Sequence, residues 1–100
     1  MSHATELRTL ANAHEDKGDY ATALDLHRRA FLMQERAVGK NSPDIAPFIY
    51  DLAMIHAALD HDGEARKLLA WLLRLLPAQD PLVKEVDLVL SELQQAETAA

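Results

Sequence analysis

Apolar positions recur along this chain at intervals of three and four residues in five separate blocks, the period of a helix that hides one face. The first block, over residues 2–17, sets Leu7, Leu10, Ala11 and His14 at i, i+3, i+4 and i+7. Gly18 then offers the positive φ that closes a helix, and Asp19 offers a carboxylate to cap the next one, so two antiparallel neighbours are predicted. The second block, 20–38, places Tyr20, Ala23, Leu24, His27, Ala30 and Phe31 on one side and stops at Gly39. The third, 43–59, carries the clearest period: Ile45, Phe48, Ile49, Leu52, Ala53, His56 and Leu59. Ser42 caps it, Pro43 starts it, and Pro47 sits in its first turn, where a missing N–H costs little.

The fourth block, 63–76, is apolar nearly all round, with Leu68, Leu69, Leu72, Leu73 and Leu76 on one face and Ala70, Trp71 and Leu75 beyond it. Such a helix needs cover on most sides. A fifth helix over 80–96, capped by Asp80 and begun by Pro81, offers that cover through Leu82, Val83, Val86, Val89, Leu90 and Leu93. Its other face carries Lys84, Glu85, Asp87, Glu92, Gln94 and Gln95, which suits a terminal cap. The turn at 60–63 has its glycine three residues later than Gly18 stands in the first turn, and a different turn shape is expected there.

The blocks repeat. Leu10-Ala11 and His14 return 42 residues later as Leu52-Ala53 and His56, and Ala23 returns as Ala65. A period of this size means stacked supersecondary units. The expected fold is therefore all-α: one domain of two helical hairpins, about residues 4–39 and 43–77, followed by a capping helix at about 80–97.

Charge and composition narrow the functions. Sixteen acidic against ten basic residues give a net charge of −6, which repels the phosphate backbone of nucleic acids and anionic headgroups. There is no cysteine, hence no disulfide, thiolate ligand or cysteine nucleophile. The first residues lack the basic and apolar segments of a secretory signal, and the run from Leu68 to Leu76 falls short of the roughly 20 residues of a membrane span. A cytoplasmic location is the expectation.

At these residues the chain resembles the tetratricopeptide repeat family, and in particular its 42-residue, kinesin-light-chain-like variety. Leu10, Ala11 and the turn Gly18-Asp19-Tyr20 match the signature of the first unit, with Ala23 and Ala30 as the small residues of its second helix. Leu52, Ala53, Ala65 and Pro77 match the second unit, and residues 39–46 resemble the linker of that variety. His14 and His56 replace a customary tyrosine, His27 and Leu69 stand where an aromatic is common, Leu72 replaces a small residue, and Asp60 holds the second turn-glycine position. Packing of the second unit must adjust.

The resemblance implies a non-catalytic module that binds a partner peptide or helix in a concave groove lined by first-helix residues. These project to Thr5, Arg8, Asn12, Glu15 and Asp16, to Tyr50, Met54, Ala57 and Ala58, and to Lys84 and Leu88. Arg8, Asn12, Glu15, Tyr50, Met54 and Leu88 are the candidate partner contacts, with Tyr50, Met54 and Leu88 taking an apolar side and Glu15 and Asp16 a positive group. Arg8 and Asn12 match the pair with which one subfamily clamps a C-terminal carboxylate, but Asp51 and Glu85 stand where that clamp needs an asparagine and an arginine. The alternative function is structural, a self-associating subunit or homodimer joined through Trp71 and Leu75 of the fourth helix. A remoter one is a metal- or ligand-binding regulator, with His56 and Asp60 one turn apart. Repeat packing explains those histidines more simply, the Asp60–Asp62 turn lacks the further oxygens of a calcium loop, and neither a catalytic constellation nor a cofactor motif is present.

Overall fold

Gly18 and Asp60 stand 42 residues apart, and both hold a left-handed backbone, with φ of 81° and 62°. A computed structural model describes residues 2–99, and side chains to Gln95. Around each of the two residues the helix ends in the same way. The amide of Gly18 donates to the carbonyl of Glu15 and that of Asp19 to His14, while Asp60 donates to Ala57 and His61 to His56. The second turn therefore copies the first, contrary to the expectation from Gly63. An aspartate tolerates the left-handed conformation that the first turn assigns to glycine, and Gly63 lies inside the following helix.

Five α-helices result, with no strand among the described residues: α1 (His3–Asp16), α2 (Tyr20–Val38), α3 (Ala46–Ala58), α4 (Asp62–Leu75) and α5 (Pro81–Ala99). A 3₁₀ turn, Pro43–Ile45, precedes α3, so the third helical segment opens with one tighter turn than expected. The caps read from the residues form. Thr22 donates to Asp19, Asp44 to Ser42 and Leu82 to Asp80, at 3.3, 3.2 and 2.9 Å.

Helices α1 and α2 pack as one antiparallel hairpin, α3 and α4 as another, and α3 lies against α2. The molecule measures 41 × 32 × 19 Å; with a helix about 10 Å across, it is two helices thick. Ala11, Ala23, Ala53 and Ala65 are fully buried where the helices of each hairpin approach. Ile45, Ile49, Ile55, Leu69, Leu72 and Val86 fill the interior.

Two features depart from strict repetition. Leu72 stands 42 residues after Ala30, and both are buried. The larger side chain needs more room, and the contact of α4 with α5 is less extensive than that of α2 with α3. Leu10, expected on the buried face of α1, is 48% exposed, whereas its counterpart Leu52 is 5% exposed. The reason is stacking. The face that α3 buries with Phe48, Leu52 and Ile55 has Glu6, Leu10 and Ala13 at the same places on α1, and no described helix covers it. Ala4 is buried on α1 instead.

Helix α4 is covered as expected. None of its large apolar side chains is exposed; Leu69 and Leu72 are buried and Leu68, Trp71, Leu73 and Leu75 half-buried. Leu82, Val83, Val86, Val89, Leu90 and Leu93 of α5 are all at least half-buried, and Lys84, Glu85, Asp87, Glu92, Gln94 and Gln95 are exposed.

Equivalent leucines should thus answer truncation differently. Leu52→Ala is expected to cost about 2–5 kcal/mol in urea denaturation, and Leu10→Ala to stay within about 0.5 kcal/mol of wild type. In the second turn, Asp60→Gly removes the side chain from a left-handed position and should raise stability by up to about 1 kcal/mol, read as a higher denaturation midpoint.

Candidate partner-binding groove

The first helices of the two hairpins, α1 and α3, are tied together by an ion pair. Arg8 of α1 donates through Nε to Oδ2 of Asp51 on α3. Its guanidinium carbon also lies 5.6 Å from the centroid of the Phe48 ring, within cation–π range. Sequence reasoning placed Arg8 in the groove as an open contact. The structure commits its charge to Asp51, because the carboxylate one position after Tyr50 faces back toward α1.

Beside this pair lies a cleft of about 430 Å³, lined by Arg8, Pro43, Ala46, Pro47, Tyr50, Leu76, Pro77, Asp80 and Leu82. It brings together α1, the start of α3 and the link from α4 into α5. Tyr50 is half-buried in it, and its hydroxyl is pushed above the ordinary phenol value by burial first, then by the carboxylates of Glu85 and Asp51. Asp80 on the rim accepts from the amide of Leu82, which fixes the entry of α5. The cleft is an apolar, proline-bordered concavity with acidic groups around it.

The remaining predicted residues divide. Met54 follows Tyr50 by one turn of α3 and is half-buried, and Asn12 follows Arg8 by one turn of α1 and is exposed. Glu15 turns away from the groove: its Oε1 lies 3.4 Å from Nε2 of His27 on α2, a histidine that is 2% exposed. A buried imidazole needs a polar partner, and Glu15 is the one within reach. The other ring nitrogen, Nδ1, has none in the structure. Leu88 is 65% exposed but shares a shallow depression on α5 with Lys84, Asp87 and Ser91, apart from the cleft. The α5 residue that lines the cleft is Leu82. Pro43 and Pro77 of the linkers, and Pro47 in the first turn of α3, were missed as residues of the cleft, although both linkers lead from a second helix into a first helix and so lie at the same end of the stack.

Trp71 and Leu75 belong to the other side of the molecule. The Trp71 ring meets Phe31 of α2 edge-on, with centroids 5.7 Å apart and planes at 89°, and Leu75 is half-buried against the core. A second concavity of about 460 Å³ runs there between α2 and α4, with Phe31, Leu68 and Trp71 on its floor and Glu35, Lys40, Glu64, Lys67 and Arg74 around it. His56 does not join Asp60. Its Nδ1 lies 3.1 Å from that of His61, and no three metal-ligating side chains converge among the described residues.

The hairpin copied at a 42-residue interval, with matching turns and buried alanines, is the geometry of one known repeat, and the tetratricopeptide repeat model matches residues 2–78. The chain belongs to the tetratricopeptide repeat family. No curated protein matches it. Tetratricopeptide repeats are in general non-catalytic modules that mediate protein–protein interaction, and this is the class of work the fold serves. The match takes in both hairpins and ends before α5, which occupies the place of a first helix of a further unit. None of the described tetratricopeptide helices is long and apolar enough to cross a membrane.

The Arg8–Asp51 pair can be weighed directly. Its side chains are 35% and 16% exposed, so a double-mutant cycle with Arg8→Ala and Asp51→Ala should give a coupling energy of about 1 kcal/mol, diminished by salt.

Proposed function

We propose that the protein captures a peptide or helix of a partner protein in the cleft between α1, α3 and the α4–α5 link. The observation that carries this reading is the half-buried Tyr50 in the lining of an apolar cleft, with the carboxylates of Glu85 and Asp51 near its hydroxyl and Asp80 on the rim. An apolar side chain of the partner would seat against Tyr50, Pro47 and Leu82, and a cationic group beside it would approach Glu85 and Asp80. Asn12 and Met54 extend the contact along α1 and α3. A terminal carboxylate is a poor fit, because Arg8 already neutralises Asp51 and no second cation lines the cleft. The 42-residue spacing and the linker at 39–46 support kinship with the kinesin-light-chain variety.

Two repeats offer limited area, which suits modest affinity. Self-association through α4 has less support, since Trp71 is engaged with Phe31 and the large apolar side chains of α4 are at least half-buried.

A displayed library of random peptides panned on the protein should enrich sequences that pair an apolar residue with a lysine or arginine. Tyr50→Ala with Met54→Ala should weaken them by at least about 2 kcal/mol, roughly thirtyfold, in calorimetry. Light scattering should show the mass of the protein unchanged. Enriched peptides that bind the double variant as well as wild type would refute the assignment of the cleft.

A further inference from the structure

Each of the five histidines has an ionisable neighbour, and they divide by its sign. His3 lies 3.6 Å from Glu6, His14 3.2 Å from Asp19 and His27 3.4 Å from Glu15. Protonation turns each of these contacts into an ion pair. His56 and His61 instead face each other, Nδ1 to Nδ1 at 3.1 Å, with ring centroids 5.3 Å apart. Neutral, or with one added proton, this pair keeps a hydrogen bond, one ring donating and the other accepting. With two added protons, hydrogen meets hydrogen and cation meets cation.

The position of the pair gives that repulsion a consequence. His14 and Asp19 hold in the first turn the places that His56 and His61 hold in the second, both 42 residues on, and the backbone hydrogen bonds of the two turns correspond. Two turns of one geometry are thus closed by side-chain pairs with opposite responses to acid. His56 is 7% exposed. Burial first, then His61 in the turn, then Arg28 from α2 lower its pKa from the ordinary value, and Glu64 from α4 opposes them; Asp60 and Asp62 flank His61 in the chain. A histidine whose folded pKa is depressed takes up its proton more readily in the unfolded chain. Its stabilising contribution is therefore present above the unfolded value of about 6.5 and is lost as pH falls from there through the folded value.

We propose that the His56–His61 pair is an acid-released latch on the α3–α4 turn: when both imidazoles are charged, α4 loosens from α3 while the α1–α2 turn stays closed. The release travels to Trp71, which α4 holds against Phe31 of α2, and to α5 beyond it. This inference stands apart from the choice of partner at the cleft.

The test follows the emission of Trp71, the one tryptophan, together with far-ultraviolet circular dichroism of the full chain from about pH 8 to about pH 4.5. Wild type should show a red shift of emission, with helix partly retained, below the ordinary imidazole range. His61→Asp copies the pair of the first turn and should move that transition down by at least about one pH unit, a tenfold change in proton affinity. His61→Asn, which supplies a helix-capping side chain but carries no charge, should move it part of the way. Both variants place a favourable residue at the start of α4 and are expected to fold. A transition of unchanged midpoint in both variants overturns the proposal. So does stabilisation of wild type by zinc chloride alone that is lost in His61→Asn, which would make the pair a metal site.

Discussion

Close approach at alanine is the constraint on which the rest of this structure depends. Ala11 and Ala23 in the first hairpin, and Ala53 and Ala65 in the second, are fully removed from solvent. A methyl group lets two helix backbones come nearer than any longer side chain allows. Helices that close must be joined by a short turn, and each hairpin makes one with a single left-handed residue, Gly18 or Asp60. The turn in turn sets which residues meet across it. That is why His14 finds Asp19 and His56 finds His61 in the same geometry.

Stacking the hairpins then decides what each helix face is worth. The same leucine position is buried on α3 and exposed on α1, because α3 has the first hairpin on that side and no described helix covers the matching face of α1. At the far end, α5 covers α4 with a row of leucines and valines and turns Lys84, Asp87 and Ser91 to solvent. Leu72, buried, holds on α4 the place that the smaller Ala30 holds on α2, and Trp71 fills space against Phe31 across the two second helices. The unusual apolar width of α4 is therefore the cost of covering three neighbours with one helix.

The charges of the groove follow from the same stacking. Bringing α1 beside α3 couples Arg8 to Asp51 and spends the groove's central cation inside the protein. Glu15 is drawn off to His27, a histidine that the hairpin buries. What remains around the cleft is acidic and apolar, in keeping with a chain of net charge −6. The partner chemistry we propose for this groove, apolar fit and attraction for a cation, rests on those groups. The proposed partner chemistry and the proposed latch rest on different parts of the repeat, one on the first-helix surface and the other on a turn between helices.

The helices, their caps and the 42-residue repeat were legible in the order of residues, because each depends on neighbours within a few positions. Ser42, Asp19 and Asp80 cap helices by reaching an amide two or three residues away, and periodicity alone marks the face of α5 and most of that of α2, where Tyr20 is exposed and Leu26 is buried beside the expected residues. Other outcomes were not, for one reason: they join residues that only packing brings together. Arg8 and Asp51 are 43 positions apart. Pro43, Pro47 and Pro77 meet at one end of the stack, Leu88 falls outside the cleft while Leu82 lines it, and Leu10 is exposed where Leu52 is buried. The sequence alone determined which faces are apolar and where the chain turns. Tertiary structure decided which of those faces find cover and which charges find each other, because burial and Coulomb attraction depend on distance in space.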